Sequence, residues 1–324
     1  MTLSTLRRPL GPVAVACAAA VVLAACGGQS SDAAGGAGGG QISGPVRIDG
    51  SSTVAPLSQA AAELYAEQQP GVNVTVATSG TGGGFKKFCA GETDISDASR
   101  AIKDEEAAAC RAKGIEFIEL QVANDALSVV VNPANNWANC LTPAQLATIW
   151  GPQAEGKVTT WRQVDPAFPN EPLALFGPGT DSGTFDYFTD EINGKEGASR
   201  TDYQSSEDDN VLVKGVEGAR GALGYFGYTY YEENQGKLKA LQIDGGNGCV
   251  APSAESVQNG TYQPLARPLF IYVNKSAYQT KPQVKDFVEF YVGQDAKIAQ
   301  AAQFVPLNAE QKAGLTSAAA KLSG

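Results

Sequence analysis

Three segments rich in Gly, Ser and Thr each stand where a short apolar run gives way to a helical periodicity. No other feature constrains the fold of this chain as strongly. The first is Asp49-Gly50-Ser51-Ser52-Thr53-Val54-Ala55-Pro56, the second Ser79-Gly80-Thr81-Gly82-Gly83-Gly84-Phe85, and the third Gly177-Pro178-Gly179-Thr180-Asp181-Ser182-Gly183-Thr184-Phe185. The runs before them, residues 46–48, 72–76 and 173–176, read as strands. After the first, Leu57, Ala61, Leu64 and Tyr65 recur at helical spacing, with polar Gln59, Glu63 and Glu67 on another face. Repeated strand-to-helix units of this kind give an α/β architecture. Further strands are expected at 116–120, 126–131, 221–226, 240–243 and 269–273, and further helices at 143–150, 183–191, 210–218, 283–292, 295–303 and 309–322.

Each junction puts hydroxyls and free backbone N–H groups at a helix N-terminus, where the helix dipole favours an anion. Taken singly, Ser or Thr before a helix is an ordinary N-cap and Gly an ordinary turn residue. One helix end contributes only about 0.3–1 kcal/mol when exposed. Three converging ends with charge-assisted hydrogen bonds could together reach the roughly 8 kcal/mol of micromolar binding. The cation expected among them is Arg100, in Asp94-Ile95-Ser96-Asp97-Ala98-Ser99-Arg100. Asp97 and Asp181 are the carboxylates expected to accept a ligand proton, with Asp208 and Asp209 behind them, while Lys86 and Lys87 read as solvated helix residues.

Several chemistries are excluded. The chain has no histidine, which removes Ser-His-Asp and Cys-His catalysis. Asp181-Ser182-Gly183-Thr184 has the D-[ST]-G-[ST] form of an aspartic protease, but those enzymes share a proton between two such aspartates and no second copy exists. The second segment is not a P-loop, since no Lys-Ser/Thr follows its last Gly in register. Zinc is disfavoured by the lack of a C-x-x-C pair. No cofactor, no metal and no catalytic residue is expected. The absence of a basic run argues against nucleic acid.

The N-terminus points to export. Arg7 and Arg8 precede an apolar stretch shorter than the roughly 20 residues of a membrane-spanning helix. That stretch ends in Leu23-Ala24-Ala25-Cys26, the pattern of a lipoprotein signal in which Cys26 receives the lipid. Residues 1–25 are therefore expected to be a signal peptide and 26–44, rich in Gly, Ala and Ser, a flexible tether. Losing Arg7 and Arg8 takes the basic count from 24 to 22 and the net charge from -10 to -12. An acidic body of this kind must hold an anion with local dipoles and placed cations, because its overall field repels the ligand.

Two extended runs, one around residues 122–131 and one around 267–273, could cross between two lobes. Residues 45–124 and 269–324 would then build the first lobe, and 125–268 the second. Once Cys17 and Cys26 are set aside, four cysteines remain, and three pairings are possible. The lobes favour Cys89–Cys110 and Cys140–Cys249, which keeps each bridge inside one lobe and locks no moving joint.

Asp49-Gly-Ser-Ser-Thr-Val-Ala-Pro, Ser79-Gly-Thr-Gly-Gly-Gly-Phe-Lys, Asp97-Ala-Ser-Arg and Asp181-Ser-Gly-Thr-Phe together resemble the phosphate-binding receptors of phosphate ABC transporters (the PstS family), above all the SphX-like branch. The resemblance spans nearly everything from Val46 to Leu307. It implies a two-lobed type II periplasmic-binding-protein fold with a ligand cleft between lobes. The implied receptor delivers inorganic phosphate to ABC transporter permease subunits; with the N-terminal signal it is expected to be lipid-anchored on the outer face of the cell membrane, non-catalytic and monomeric. It implies ligand contacts at Ser52, Thr53, Thr81, Ser182, Gly183 and Thr184. Two departures stand out: Gly177 and Pro178 replace the family's arginine, and Ser99 replaces its acceptor Asp. Arg100 is expected to make good the first, and Asp97 or Asp181 the second. A receptor for sulfate, molybdate or tungstate, a carboxylate-based phosphatase and a surface scaffold are the alternatives.

Overall fold

The computed structural model describes residues 42–180, 182–206 and 208–324. Cys26, the signal segment, most of the expected tether and Asp181 lie outside them. The strand Gly44–Gly50 pairs in parallel with Val72–Thr78 on one side and Ile95–Ala98 on the other. The helices Ala55–Ala66 and Thr81–Cys89 make the connections. This is the α/β pattern that the first two junctions call for.

The two strands expected at 116–120 and 126–131 are one strand of 15 residues, Phe117–Val131. Polar Gln121, Asn124 and Asp125 interrupt the apolar pattern, which is why the sequence reads as two pieces. In the fold Gln121 donates to Asn124, and Asn124 and Asp125 find partners from distant segments. Asn124 exchanges hydrogen bonds with Gln311, and Asp125 accepts from Arg267. The first part of the strand runs antiparallel to Ala266–Asn274, and the last part antiparallel to Ala222–Gly227. A single mixed sheet of nine strands thus passes through this strand, in the order Val72–Thr78, Gly44–Gly50, Ile95–Ala98, Ala266–Asn274, Phe117–Val131, Ala222–Gly227, Ala174–Gly177, Gln204–Ser205, with Lys239–Ala240 also paired to the long strand.

Apolar side chains collect on both sides of this crossing. One cluster joins Val46, Leu57, Ile95 and Leu120 to Leu269, Ile271, Phe287 and Ile298, so both ends of the described chain build it. Another draws on Leu127, Trp150, Trp161, Phe188, Tyr225 and Ile243 from the middle. In the latter, Arg200 is only 3% exposed and is held by Asp202 and by the carbonyls of Ile149 and Val158, so its burial is fully compensated. The cysteines pair as Cys89–Cys110 and Cys140–Cys249. Among the described residues, no helix is long and apolar enough to cross a membrane.

Three elements near the first two junctions escape periodicity. The strand Ile95–Ala98 is too short and polar to show an alternation, and Asp104–Ala112 buries only Cys110. The helix Thr81–Cys89 carries three consecutive glycines, poor helix formers. Packing requires at least one of them, since a Cβ at Gly84 would lie 2.5 Å from the Gly50 Cα.

Candidate functional site

A cleft of about 610 Å³ opens where the junctions meet. Its first wall is built from the ends of three adjacent strands. Gly50 ends its strand at φ +152, in close approach to the neighbouring strand, and a Cβ there would stand 2.1 Å from the Asp97 carbonyl oxygen. Only glycine fits. The Ser51 N–H then donates to that same carbonyl at 2.9 Å, and the Ser79 N–H donates to the Gly50 carbonyl at 3.1 Å. The Ser79 hydroxyl donates to Asp49 Oδ1 at 2.6 Å, and Lys87 forms an ion pair with Asp49 Oδ2. Burial works to raise the Asp49 pKa, but the Lys87 ion pair and the Ser79 hydroxyl outweigh it and leave the group lowered and charged. Lys87 is therefore a partner of the first wall, not the solvated residue its sequence context suggests.

On this frame sit Ser52, Thr53, Thr81, Ser99 and Arg100, all of them lining the cleft. Thr81 is the first residue of its helix. Its hydroxyl accepts from the Ser99 N–H at 3.3 Å and lies 3.1 Å from the Ser99 hydroxyl. The third junction meets this wall directly, since a Cβ on Gly183 would lie 2.9 Å from the Thr53 hydroxyl. Ser182 caps the helix Gly183–Asn193 by accepting from the Thr184 N–H at 3.2 Å. Thr184 itself lines a separate cavity of about 130 Å³ with Asp125, Asp209 and Gln303. The fold thus brings Gly183 to Thr53, while Thr184 faces elsewhere.

The carboxylates are distributed differently from expectation. Asp97 lies behind the wall, fully buried, with Oδ1 accepting from Ser58 at 2.8 Å, so it does not reach the cleft. Burial, reinforced by the charge of Asp49, pushes its pKa up to about 7 against the opposing Ser58 bond. Asp208 caps the helix Asp209–Gly218 through the Asn210 N–H at 2.9 Å. Acidic groups that do line the cleft are Asp186, Asp190, Glu191 and Glu196, three of them on the helix that Ser182 caps. Asp186 is raised by burial and by Glu196, and Glu191 by burial and by Asp190, with Arg267 opposing both shifts.

Arg100 reaches the cleft with its guanidinium already engaged, both terminal nitrogens donating to Glu106 at 2.9 and 2.8 Å. Sequence reasoning missed a second arginine, Arg267. Its Nη2 donates to the Thr53 hydroxyl at 3.0 Å, its Nε donates to Asp125 at 3.2 Å, and its guanidinium carbon lies 3.6 Å from the centre of the Tyr187 ring. The available signal was a lone cation at the head of an apolar strand, a position too costly for an unpaired charge.

A sequence model described as a PBP superfamily domain matches residues 35–295. Protein SphX of Synechococcus elongatus is 55% identical over 266 residues, covering 82% of this chain and 78% of that protein. The chain belongs to the PBP superfamily, in the family of SphX and PstS. A phosphate-binding protein PstS of Staphylococcus saprophyticus is 38% identical over 83% of this chain and 82% of its own length. The crystal structure of a possible phosphate binding protein from Planctomyces limnophilus superposes with a TM-score of 0.83 at 47% identity, over 87% of this chain and all of that one. The fold is accordingly the two-lobed type II form, with its cleft between lobes. In this PBP-family cleft the backbone N–H groups and hydroxyls of one wall face the acidic helix of the other. No cluster of metal-ligating side chains occurs among the described residues.

Proposed function

We propose that this protein is an exported, lipid-anchored, monomeric receptor that captures inorganic phosphate between its lobes and hands it to the permease subunits of an ABC transporter. The observation that carries the reading is the meeting of the first and third junctions, Gly183 packing against Thr53 beside Thr81, Ser99 and Arg100. Helix N-termini and hydroxyls converging on one space donate to an oxyanion without needing a metal. Kinship with the SphX and PstS proteins supports phosphate as that oxyanion. The ligand set we assign is Ser52, Thr53, Thr81, Ser99 and Arg100 from one wall and Asp181, Ser182 and Gly183 from the other.

The lobes are assigned as 45–124 with 269–324, and 125–268, with 1–25 a signal peptide, Cys26 the lipidated residue and 26–44 a tether to the outer face of the membrane. Asp186 and Glu191, whose side chains line the cleft, are acceptors suited to a ligand that carries its own proton, as phosphate does and sulfate does not. Binding acts by desolvating the anion as the lobes close, and the transporter reads the closed form. Isothermal titration decides the reading: micromolar or tighter binding of phosphate with at least about tenfold weaker sulfate binding is expected. Equal affinity for sulfate, or turnover of a phosphomonoester, overturns it.

A further inference from the structure

We propose that Arg267, and not Arg100, supplies the principal positive charge to the bound anion. The assignment rests on the anion-receptor reading of the cleft and names the group that satisfies the anion's charge. Arg100 presents a fork already closed on a carboxylate: Nη1 and Nη2 each donate to one oxygen of Glu106, and Nη1 also donates to the Ala101 carbonyl. Turning to a ligand would break a bidentate pair, the strongest geometry available to a guanidinium. Arg267 is held by single bonds instead, one from Nε to Asp125 and one from Nη2 to Thr53. Among the described residues its Nη1 has no recorded acceptor, and the side chain lines the cleft.

Its anchoring comes from three directions. Asp125 lies beside it on the long crossover strand, Thr53 belongs to the first wall, and the Tyr187 ring stacks beneath the guanidinium from the second. A planar cation fixed on its face and at two edges keeps its remaining edge oriented, so little side-chain entropy is lost when an oxyanion arrives. Thr53, by accepting from Arg267, keeps its own proton for the ligand. The arginine also offsets a wall that is otherwise negative, with Asp125, Asp186, Asp190, Glu191 and Glu196 all close to the space the anion would enter.

Titration of the full chain with inorganic phosphate tests the assignment. Arg267→Gln is expected to weaken binding about 30-fold or more, Arg267→Lys about 10-fold, and Arg100→Gln by a smaller factor than Arg267→Gln. Arg267→Gln should also weaken binding more at pH 8, where phosphate is a dianion, than at pH 6, where it is mostly a monoanion, a difference that a merely structural role would not produce. Arg267→Gln binding within about 3-fold of wild type, or Arg100→Gln costing more than Arg267→Gln, overturns the proposal. Should Arg267→Gln fail to fold, as judged by its circular dichroism melt, the double variant Arg267→Gln/Asp125→Asn removes the charge together with the carboxylate it pairs with and carries the test. Wild-type affinity in that variant overturns the assignment. A wild-type chain that ignores phosphate overturns the receptor reading itself, a result distinguishable from failure of the arginine alone.

Discussion

The two walls of the cleft are made from similar sequence and held in different ways. Ser52, Thr53, Thr81 and Ser99 stand on backbone that cannot shift, because Gly50 lies against Asp97, Gly84 lies against Gly50, and Asp49 ties Ser79 to Lys87. The opposite wall rests on the Ser182 cap, a glycine contact, and a helix that turns Asp186, Asp190 and Glu191 toward the cleft. One wall is therefore a preorganised donor surface, and the other a helix, anchored in the core by Phe185, Tyr187 and Phe188, that brings acceptors. A donor surface fixed before the ligand arrives lowers the cost of binding, since little backbone has to be ordered around the anion.

The contrast can be broken most directly at Gly50. Gly50→Ala is expected to cost about 3–5 kcal/mol in urea unfolding, because it combines a prohibited φ with backbone overlap. Gly80→Ala, at φ +73 in open space, should cost only about 1 kcal/mol. A Gly50→Ala protein as stable as wild type would show that the first wall is not pinned there.

The disulfides give the next largest effect. Cys140–Cys249 closes a loop with a sequence separation of 109 and Cys89–Cys110 one of 21. On the chain-entropy argument, replacing the first pair by Ser should cost up to about 4.8 kcal/mol and the second about 3 kcal/mol. Thermal melts of the two double variants check the order, and its reversal would mean that strain or residual unfolded structure outweighs loop length.

Asp97 sharpens the comparison through pH. Its folded pKa of about 7 lies above the ordinary carboxylate value, so the folded state binds the extra proton and is favoured while Asp97 stays protonated. The contribution is full below about pH 4 and is lost as pH rises through 7. Relative to Asp97→Asn, the wild type should lose about 1–3 kcal/mol between pH 4 and pH 8 in denaturant titrations. Parallel curves for the two proteins would show that Asp97 titrates alike in the folded and unfolded states.

Ser182→Ala gives the smallest change in stability. Loss of one N-cap is worth about 1 kcal/mol in the melt. Phosphate affinity should fall more than that stability loss alone accounts for if Ser182 also meets the ligand, and a purely structural cap would leave affinity unchanged.

The sequence by itself determined the α/β class, the family and the three junctions, because local chemistry writes each of them. Apolar runs mark strands, glycines and hydroxyls mark helix starts, and the cysteines favoured the pairing the structure has once two lobes were assumed. Tertiary structure alone decided which charged groups face the cleft. Arg100 and Glu106 are neighbours in sequence and could have been suspected as a pair, but Arg267 reaches Thr53 across 214 residues. Asp97 belongs to the same sequence segment as Ser99 and yet points into the interior toward Ser58. The continuous Phe117–Val131 strand was hidden by polar residues whose partners, Gln311 and Arg267, lie far along the chain. A charge has no periodicity, and its role follows from which distant groups compensate it, so burial and pairing become legible only when the chain has closed on itself.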